Sequence, residues 1–213
     1  MVRYGNFMML VCITVSNVNT FVMYTPEYTP WENYPKNLYH REVMNPINVI
    51  TEFFAIDWVF GHKKKLKKWR YYVTHDKCYG DKNHGPGTLL FTYELNTRLL
   101  EAVCLLYYNY VNGIVNKAVV SDLEVEREKD SLDWYPENLK QKELRNPYRA
   151  VKYLFRKIGL QQYRDYLKEW LYAALYISGG DDELRYKEIK KVYKMMLKLY
   201  STAWLIYNRE QKR

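Results

Sequence analysis

Apolar side chains recur every three to four residues through most of the chain, which is the spacing of an amphipathic α-helix. In the first half this period covers 46–58, 62–74 and 89–112, and Gly61 marks the predicted break between the first two stretches. We expect three helices there, each burying its apolar face. The predicted buried positions are Val49, Ile50, Phe53, Phe54, Leu66, Trp69, Val73, Leu95, Leu99, Val103, Leu106 and Tyr110.

The second half shows the same pattern, with predicted helices over 147–158, 161–177 and 183–209. Because these stretches have the same order and similar lengths, we expect the same arrangement of three helices. The predicted buried positions are Val151, Leu154, Phe155, Ile158, Leu167, Trp170, Leu171 and Ala174.

The last predicted helix carries two rows of residues spaced seven apart, and such a spacing keeps one seam of a helix against a partner helix. We expect the partner to be a helix of the same chain. A seam between two copies of the chain is the alternative, so the prediction is a monomer or a homodimer. The rows are Tyr186, Tyr193, Tyr200 and Tyr207, and Ile189, Met196 and Ala203.

The two halves also share a motif, YPxNLxxxExxNP, at 34–46 and at 135–147, an offset of 135 − 34 = 101 positions. Ungapped comparison of 34–73 with 135–174 gives about twelve identities in about forty positions, which indicates an internal repeat. The repeated residues are Tyr34, Pro35, Asn37, Leu38, Asn45, Pro46 and Trp69, matched by Tyr135, Pro136, Asn138, Leu139, Asn146, Pro147 and Trp170.

This motif is typical of helix capping. Asn45 and Asn146 are favourable N-cap residues, because the side-chain oxygen accepts a hydrogen bond from the first turn of a helix. The proline that follows each of them suits the first helical position. The earlier Asn-Leu pair predicts a second cap that opens a short helix at Leu38 or Leu139.

Together these patterns predict an all-α fold, in which two tandem repeats of a three-helix unit pack into one elongated helical body. Residues 121–133 are rich in acidic side chains and lack a strong apolar period, so they either continue the third helix or form a solvated connector. The predicted domains are an N-terminal extension at 1–33, unit 1 at 34–112, an acidic linker at 113–134 and unit 2 at 135–213.

Three interpretations of residues 1–33 remain open. An apolar stretch at 7–15 follows Arg3, which is typical of a signal peptide. The same stretch fits a β-prone extension. The third interpretation is that natural translation starts at Met23, just before the repeat.

Composition narrows the class of protein. Hydrophobic residues make up 48% of the 213 residues, enough for a packed core. No uninterrupted apolar run reaches about 18 residues, so we predict no membrane span. The odd number of cysteines, Cys12, Cys78 and Cys104, at unrelated spacings does not predict a disulfide framework and favours a cytoplasmic location.

A net charge of +9 favours an anionic partner, and the densest positive charge falls on the predicted helix 62–74. The matching stretch 163–171 keeps the apolar positions but not the charge, so this face predicts a task that only the first half performs. Lysines of this kind neutralise phosphates with little sequence selectivity. A solvated face with no partner is the alternative. The residues are Lys63, Lys64, Lys65, Lys67, Lys68 and Arg70.

A second basic face is predicted on the last helix, on the side away from the tyrosine row. If the two halves pack so that both faces meet, they form one basic surface. The alternative is again an exposed face without a partner. Its residues are Lys187, Lys190, Lys191, Lys194 and Lys198.

Evidence for enzyme chemistry is sparse. His75, Cys78 and His84 resemble a fragment of a zinc site. Because only one cysteine is present and the second half has no such residues, we predict no metal and no cofactor. Glu101 lies in an apolar run, where burial raises a carboxylate pKa and suits it to acid–base catalysis. We expect instead a local ion-pair chain with Arg98 and Glu94.

We therefore predict a non-enzymatic interaction or regulatory protein that acts through a surface or groove between the two units. Its partner is a protein or a nucleic acid. The main alternative is nucleic-acid binding through the helix at 62–70 and the lysine face of the last helix. A remote alternative is a metal-dependent enzyme that uses the 75–84 loop.

Overall fold

The computed structural model describes residues 34–75, 77–80, 85–115, 117–176 and 186–211. Within these residues the chain forms nine helices and no strand, which confirms the predicted all-α class. The N-terminal residues 1–33, with all three interpretations of them, lie outside this description. The helices are α1 (His40–Met44), α2 (Pro46–Ile56), α3 (Val59–Thr74), α4 (Pro86–Val111), α5 (Asp122–Ser131), α6 (Gln141–Arg145), α7 (Pro147–Lys157), α8 (Leu160–Leu175) and α9 (Tyr186–Gln211).

Helix bounds correspond between the two halves. The helices α1, α2 and α3 recur as α6, α7 and α8 with an offset of 101 positions, and α4 recurs as α9 with an offset of 186 − 86 = 100. Both α2 and α7 begin with the proline of the shared motif, as predicted. The Asn146 side chain accepts a hydrogen bond from Tyr148 N at 3.1 Å, whereas Asn45 forms no such cap.

The short helices α1 and α6 begin two residues later than predicted, at His40 and Gln141 rather than at the leucines. The reason is that a different motif residue satisfies their first turns. Glu42 accepts a hydrogen bond from the N–H of Tyr39 at 2.9 Å, and Glu143 does the same in the second half, also at 2.9 Å. The asparagine of the Asn-Leu pair is therefore not the cap.

The predicted break at Gly61 was wrong. The chain turns at Asp57, and Gly61 lies in the first turn of α3. A Cβ at position 61 would lie 2.0 Å from the Asp57 carboxylate, so this glycine permits a close approach. That carboxylate accepts hydrogen bonds from Trp58 N and from Lys65, each at 2.8 Å, and so holds the entry of α3.

The prediction that the acidic linker continues the third helix was wrong, because α4 ends at Val111 and 113–134 contains a separate helix, α5, whose side chains are mostly exposed. Ser121 caps it by accepting a hydrogen bond from Glu124 N at 3.3 Å. Val125 is fully buried, and the carboxylate of Glu128 accepts a hydrogen bond from Arg209 of α9 at 2.7 Å. The linker is thus packed against the second half.

The core is shared by both halves. Helix α3 packs against α8 and α9, and α4 packs against α7 and α8. At the centre, the Trp69 and Trp170 rings meet edge to face with centroids 5.7 Å apart, and Trp69 Nε1 donates to the Trp170 carbonyl at 3.1 Å. Nearly all predicted core positions are buried, and the exceptions, Val73, Tyr110 and Phe155, are half-buried.

The tyrosine row of α9 packs mainly within the chain. Tyr200 is buried against Phe53 and hydrogen-bonded to Asn96 of α4, and Tyr207 packs on Phe54 at 5.5 Å. Tyr186, at the start of the row, is exposed. The expectation of a partner helix in the same chain is met, because α9 packs against α2, α3 and α7 and reaches α4 through the Tyr200–Asn96 hydrogen bond. None of the helices in the described ranges is both long and apolar enough to cross a membrane.

Candidate functional site

The predicted basic residues of α3 have different surroundings. Lys64 and Lys67 are exposed. Lys65 is paired with Asp57 at 2.8 Å, so its charge is already balanced. The two exposed lysines are therefore the groups of this face most open to an anion.

The other cations of α3 lie over aromatic rings. Lys63 Nζ is 3.8 Å from the ring centroid of Trp134, and the Arg70 guanidinium is 4.0 Å from that of Tyr193. Lys68 Nζ is 5.4 Å from the ring centroid of Tyr79. Such contacts stabilise a cation while leaving part of it open to solvent. Burial lowers the pKa of Lys63.

His62, which opens the basic run in the sequence, faces the core. Its ring stacks on Phe53 with centroids 3.7 Å apart, and its Nε2 lies 2.7 Å from the Phe53 carbonyl oxygen. Burial lowers the pKa of His62 below 6.5, so the neutral ring is favoured at pH 7. His62 is therefore part of the packing and not of the basic face.

On α9, four of the five predicted lysines are exposed and the fifth is not. Lys198 donates to both carboxylate oxygens of Glu143, at 2.6 and 2.7 Å, and only 14% of its side chain is exposed. Its assignment to the exposed face was wrong, because the motif glutamate holds it. The exposed residues are Lys187, Lys190, Lys191 and Lys194.

The predicted local ion-pair chain around Glu101 was also wrong. Arg98 pairs with Glu42 of α1, the counterpart of the Glu143–Lys198 pair. Glu101 is fully buried and accepts hydrogen bonds from the Arg164 guanidinium of α8, from Nε at 2.8 Å and from Nη2 at 2.6 Å. These pairs join helices that lie far apart in the sequence, so helical spacing alone did not predict them.

An open cleft of about 840 Å³ lies between α3, the segment 133–138 and α9, and we call it the α3–α9 cleft. It brings together exposed lysines of the first half and aromatic rings of both halves. Its lining residues are Phe60, Lys63, Lys64, Lys67, Asp133, Trp134, Tyr135, Glu137, Asn138, Tyr193 and Leu197.

One exposed aromatic side chain lines this cleft and a second lies beside it. Phe60 is 53% exposed, and its ring lies 6.3 Å from Trp134 inside the cleft and 5.5 Å from Trp58 outside it. Trp58 is itself 43% exposed. The rings form a row beside the lysines, which provides flat surfaces on which another planar group can stack.

The basic faces of α3 and α9 meet next to this cleft. Arg70 lies over Tyr193 and also lines a smaller pocket of about 380 Å³ together with Lys190 of α9. One cation from each helix therefore lines this smaller pocket. Two carboxylates, Asp133 and Glu137, lie in the cleft and reduce its positive potential.

The predicted candidate zinc ligands do not form a cluster among the described residues. His75 stacks on Tyr71, and its Nδ1 lies 2.8 Å from the Tyr71 carbonyl oxygen. Cys78 is exposed and donates to the Leu175 carbonyl at 3.5 Å. His84 lies outside the described residues, and the ranges described contain no group of three metal-ligating side chains.

Comparison of the chain with protein-family models, with curated proteins and with solved structures finds no match. The geometry of the cleft is therefore the basis for assigning a function. Sequence reasoning identified its lysines but missed Phe60, Trp134 and Tyr193. The signal in the sequence that points to Phe60 is an aromatic residue just before a run of lysines.

Proposed function

We propose that this chain is a non-enzymatic binding protein that holds single-stranded nucleic acid in the α3–α9 cleft. The observation that carries the proposal is that the exposed lysines Lys64 and Lys67 line the same open cleft as the exposed ring of Phe60 and the half-buried rings of Trp134 and Tyr193. Proteins that bind single strands combine these two features, because cations follow the phosphates while bases stack on the rings. The cleft thus offers a partner for each part of a nucleotide.

A single strand fits this cleft better than a duplex does. The rings of Phe60 and Trp134 lie at the cleft beside Lys63, so a base has to leave its stack to reach them. A single strand presents unstacked bases at little cost, whereas a duplex would have to be opened. Lysines on the rim are expected to contact the backbone without selecting a sequence.

We also propose that the two halves are duplicated copies related by an approximate two-fold axis. Support comes from the matching helix bounds and from the packing, in which α3 with α9 corresponds to α4 with α8. The Trp69–Trp170 contact pairs equivalent residues of the two halves. The cleft lies where the two copies meet, which agrees with the predicted groove between units.

The test is fluorescence anisotropy with a labelled oligothymidylate and a duplex of the same length. If about four phosphates are neutralised, single-strand affinity should fall about 50-fold between about 50 and 200 mM salt. The double variant Lys64→Gln, Lys67→Gln should bind more weakly. Its affinity should fall only about sevenfold over the same range of salt concentration. The duplex should bind more weakly than the single strand.

A matched control removes the same charge elsewhere. Lys152 and Lys157 are exposed on α7 and do not line the cleft, so Lys152→Gln, Lys157→Gln should leave the salt dependence nearly unchanged. Equal losses in the two double variants would mean that net charge alone drives binding. No binding at about 50 mM salt would contradict the proposal and favour a partner protein with an acidic surface.

A further inference from the structure

The α3–α9 cleft is lined by counterparts of the residues around the buried Glu101–Arg164 pair, which we call the closed site. In the closed site Glu101 accepts hydrogen bonds from Arg164 and also from Asn37, through the backbone N at 2.8 Å and Nδ2 at 2.7 Å. An offset of 101 positions matches each residue of one half with a residue of the other. Four residues at or near the closed site have counterparts that line the cleft. The pairs are Arg164 with Lys63, Asn37 with Asn138, Tyr34 with Tyr135, and Gln161 with Phe60.

The cleft lacks the carboxylate of the closed site. At the offset of 100 that relates α4 to α9, Glu101 corresponds to Ser201, which is buried and donates to the Leu197 carbonyl at 3.0 Å. Asn138 Nδ2 donates to the same carbonyl at a long 3.4 Å. The cleft therefore keeps a cation and an amide at the positions that correspond to Arg164 and Asn37, but no carboxylate at the position that corresponds to Glu101. Its two carboxylates, Asp133 and Glu137, come from the segment 133–138 instead.

Lys63, the cation of the cleft, also has fewer polar partners than its counterpart Arg164. Arg164 bonds to Glu101 and to the Tyr34 carbonyl oxygen, whereas Lys63 forms no hydrogen bond or ion pair within the described ranges. It lies instead over the Trp134 ring, half-buried and with its ammonium group 3.8 Å from the ring centroid. An anion beside Lys63 would recover a strong charge-assisted hydrogen bond.

We infer that the ligand supplies this anion, and that a terminal phosphate of the bound strand lies between Lys63 and Asn138. The inference rests on the proposed function and specifies which part of the strand occupies which part of the cleft. A terminal phosphate carries a charge of about −1.5 to −2 and three acceptor oxygens. An internal phosphodiester has about one charge and two free oxygens, so it is the poorer match for an ammonium group and an amide together.

The experiment compares three oligothymidylates of about eight nucleotides, labelled on an internal base and carrying a 5′-phosphate, a 3′-phosphate or neither. Anisotropy is measured at about 200 mM salt, where nonspecific backbone contacts are weak. One phosphorylated strand is expected to bind about tenfold more tightly than the unphosphorylated strand, because charge-assisted hydrogen bonds are about twice as strong as neutral ones.

Two variants separate a specific subsite from general charge. Lys63→Gln should remove the preference for the phosphorylated strand. Lys64→Gln removes the same charge from the same cleft, yet it should weaken all three strands alike and keep the preference. Asn138→Ala, a second change at the subsite on an exposed residue, should reduce the preference without affecting folding, which circular dichroism checks.

The outcomes distinguish the inference from the function on which it rests. Equal binding of the three strands, or a preference that survives Lys63→Gln, overturns the terminal-phosphate subsite and leaves single-strand binding in place. If none of the strands binds at about 50 mM salt, the proposed function fails and the inference fails with it.

Discussion

At the residue scale, His62 shows how a titratable group can be placed in a core. Its ring lies between the aromatic packing of α2 and a backbone carbonyl, and burial lowers its pKa. Protonation would put a positive charge in the core, so the folded state binds this proton more weakly than the unfolded chain does. The stabilising arrangement is therefore complete only while the ring is neutral.

The resulting prediction concerns stability and pH. The contribution of neutral His62 to the free energy of unfolding should be complete above pH 6.5 and should decrease as the pH drops through that value. The decrease should level off below the lowered folded-state pKa of His62. Chemical denaturation measures the free energy of unfolding at pH 7.5 and at pH 5. Between these two values the wild type should lose more of it than His62→Gln does, by on the order of 1 kcal/mol. Identical pH dependence of the two proteins would contradict it.

The buried Glu101–Arg164 pair supports a second prediction at this scale. Glu101 is fully buried and Arg164 is 5% exposed, so removing one partner leaves an unpaired charge in the core. Arg164→Met should lower the free energy of unfolding by about 3–5 kcal/mol. The double variant Glu101→Leu, Arg164→Met should recover much of that loss, because no charge remains buried. A double variant as unstable as the single one would contradict this explanation.

Glu137 gives a prediction about binding. Its carboxylate lies in the α3–α9 cleft near Lys63 and opposes a bound phosphate. A unit charge at roughly 6 Å in water is worth about 0.7 kcal/mol, so Glu137→Gln should bind a single strand about threefold more tightly. The gain should be larger at about 50 than at 200 mM salt, since salt screens it. Unchanged affinity at low salt would place the strand elsewhere.

At the element scale, the entry of α3 balances two effects. Gly61 is unfavourable in a helix by about 1 kcal/mol relative to alanine, yet it leaves room for the Asp57 carboxylate that bonds Trp58 N and Lys65. Gly61→Ala should therefore have a small net effect in wild type. In an Asp57→Ala background, where nothing is displaced, it should stabilise the protein by about 1 kcal/mol. Equal effects in both backgrounds, measured by urea denaturation, would contradict this view.

Apolar periodicity predicted the long helices because their cores depend on local spacing, as Leu66 and Trp69 show. It failed where a single side-chain contact holds an element in place. Helix α5 buries a single apolar side chain, Val125, and is secured by the distant Arg209. His62 was obscured by the neighbouring lysines, although it lies four residues before Leu66 on the same face.

At the scale of the whole molecule, two junctions between the halves differ in structure. One is closed by Glu101 and Arg164, and the other is the open α3–α9 cleft. The lysines of the cleft were visible in the sequence, because they belong to a dense basic run whose matching stretch in the second half, 164–171, has no net charge. The position of Trp134 and Tyr193 beside them depends on how the halves pack, and no local pattern contains that information.

The most direct measurement is photo-crosslinking of an oligonucleotide that carries 4-thiothymidine, followed by mass spectrometry of the linked peptides. Binding in the cleft predicts cross-links to the segments 58–67 and 134–138, which contribute the exposed ring of Phe60 and the half-buried rings of Trp134 and Tyr135. The cross-links should disappear in Phe60→Ala and persist in the control Lys152→Gln, Lys157→Gln. Cross-links confined to α7, or spread evenly over the basic surface, would contradict the cleft as the binding site.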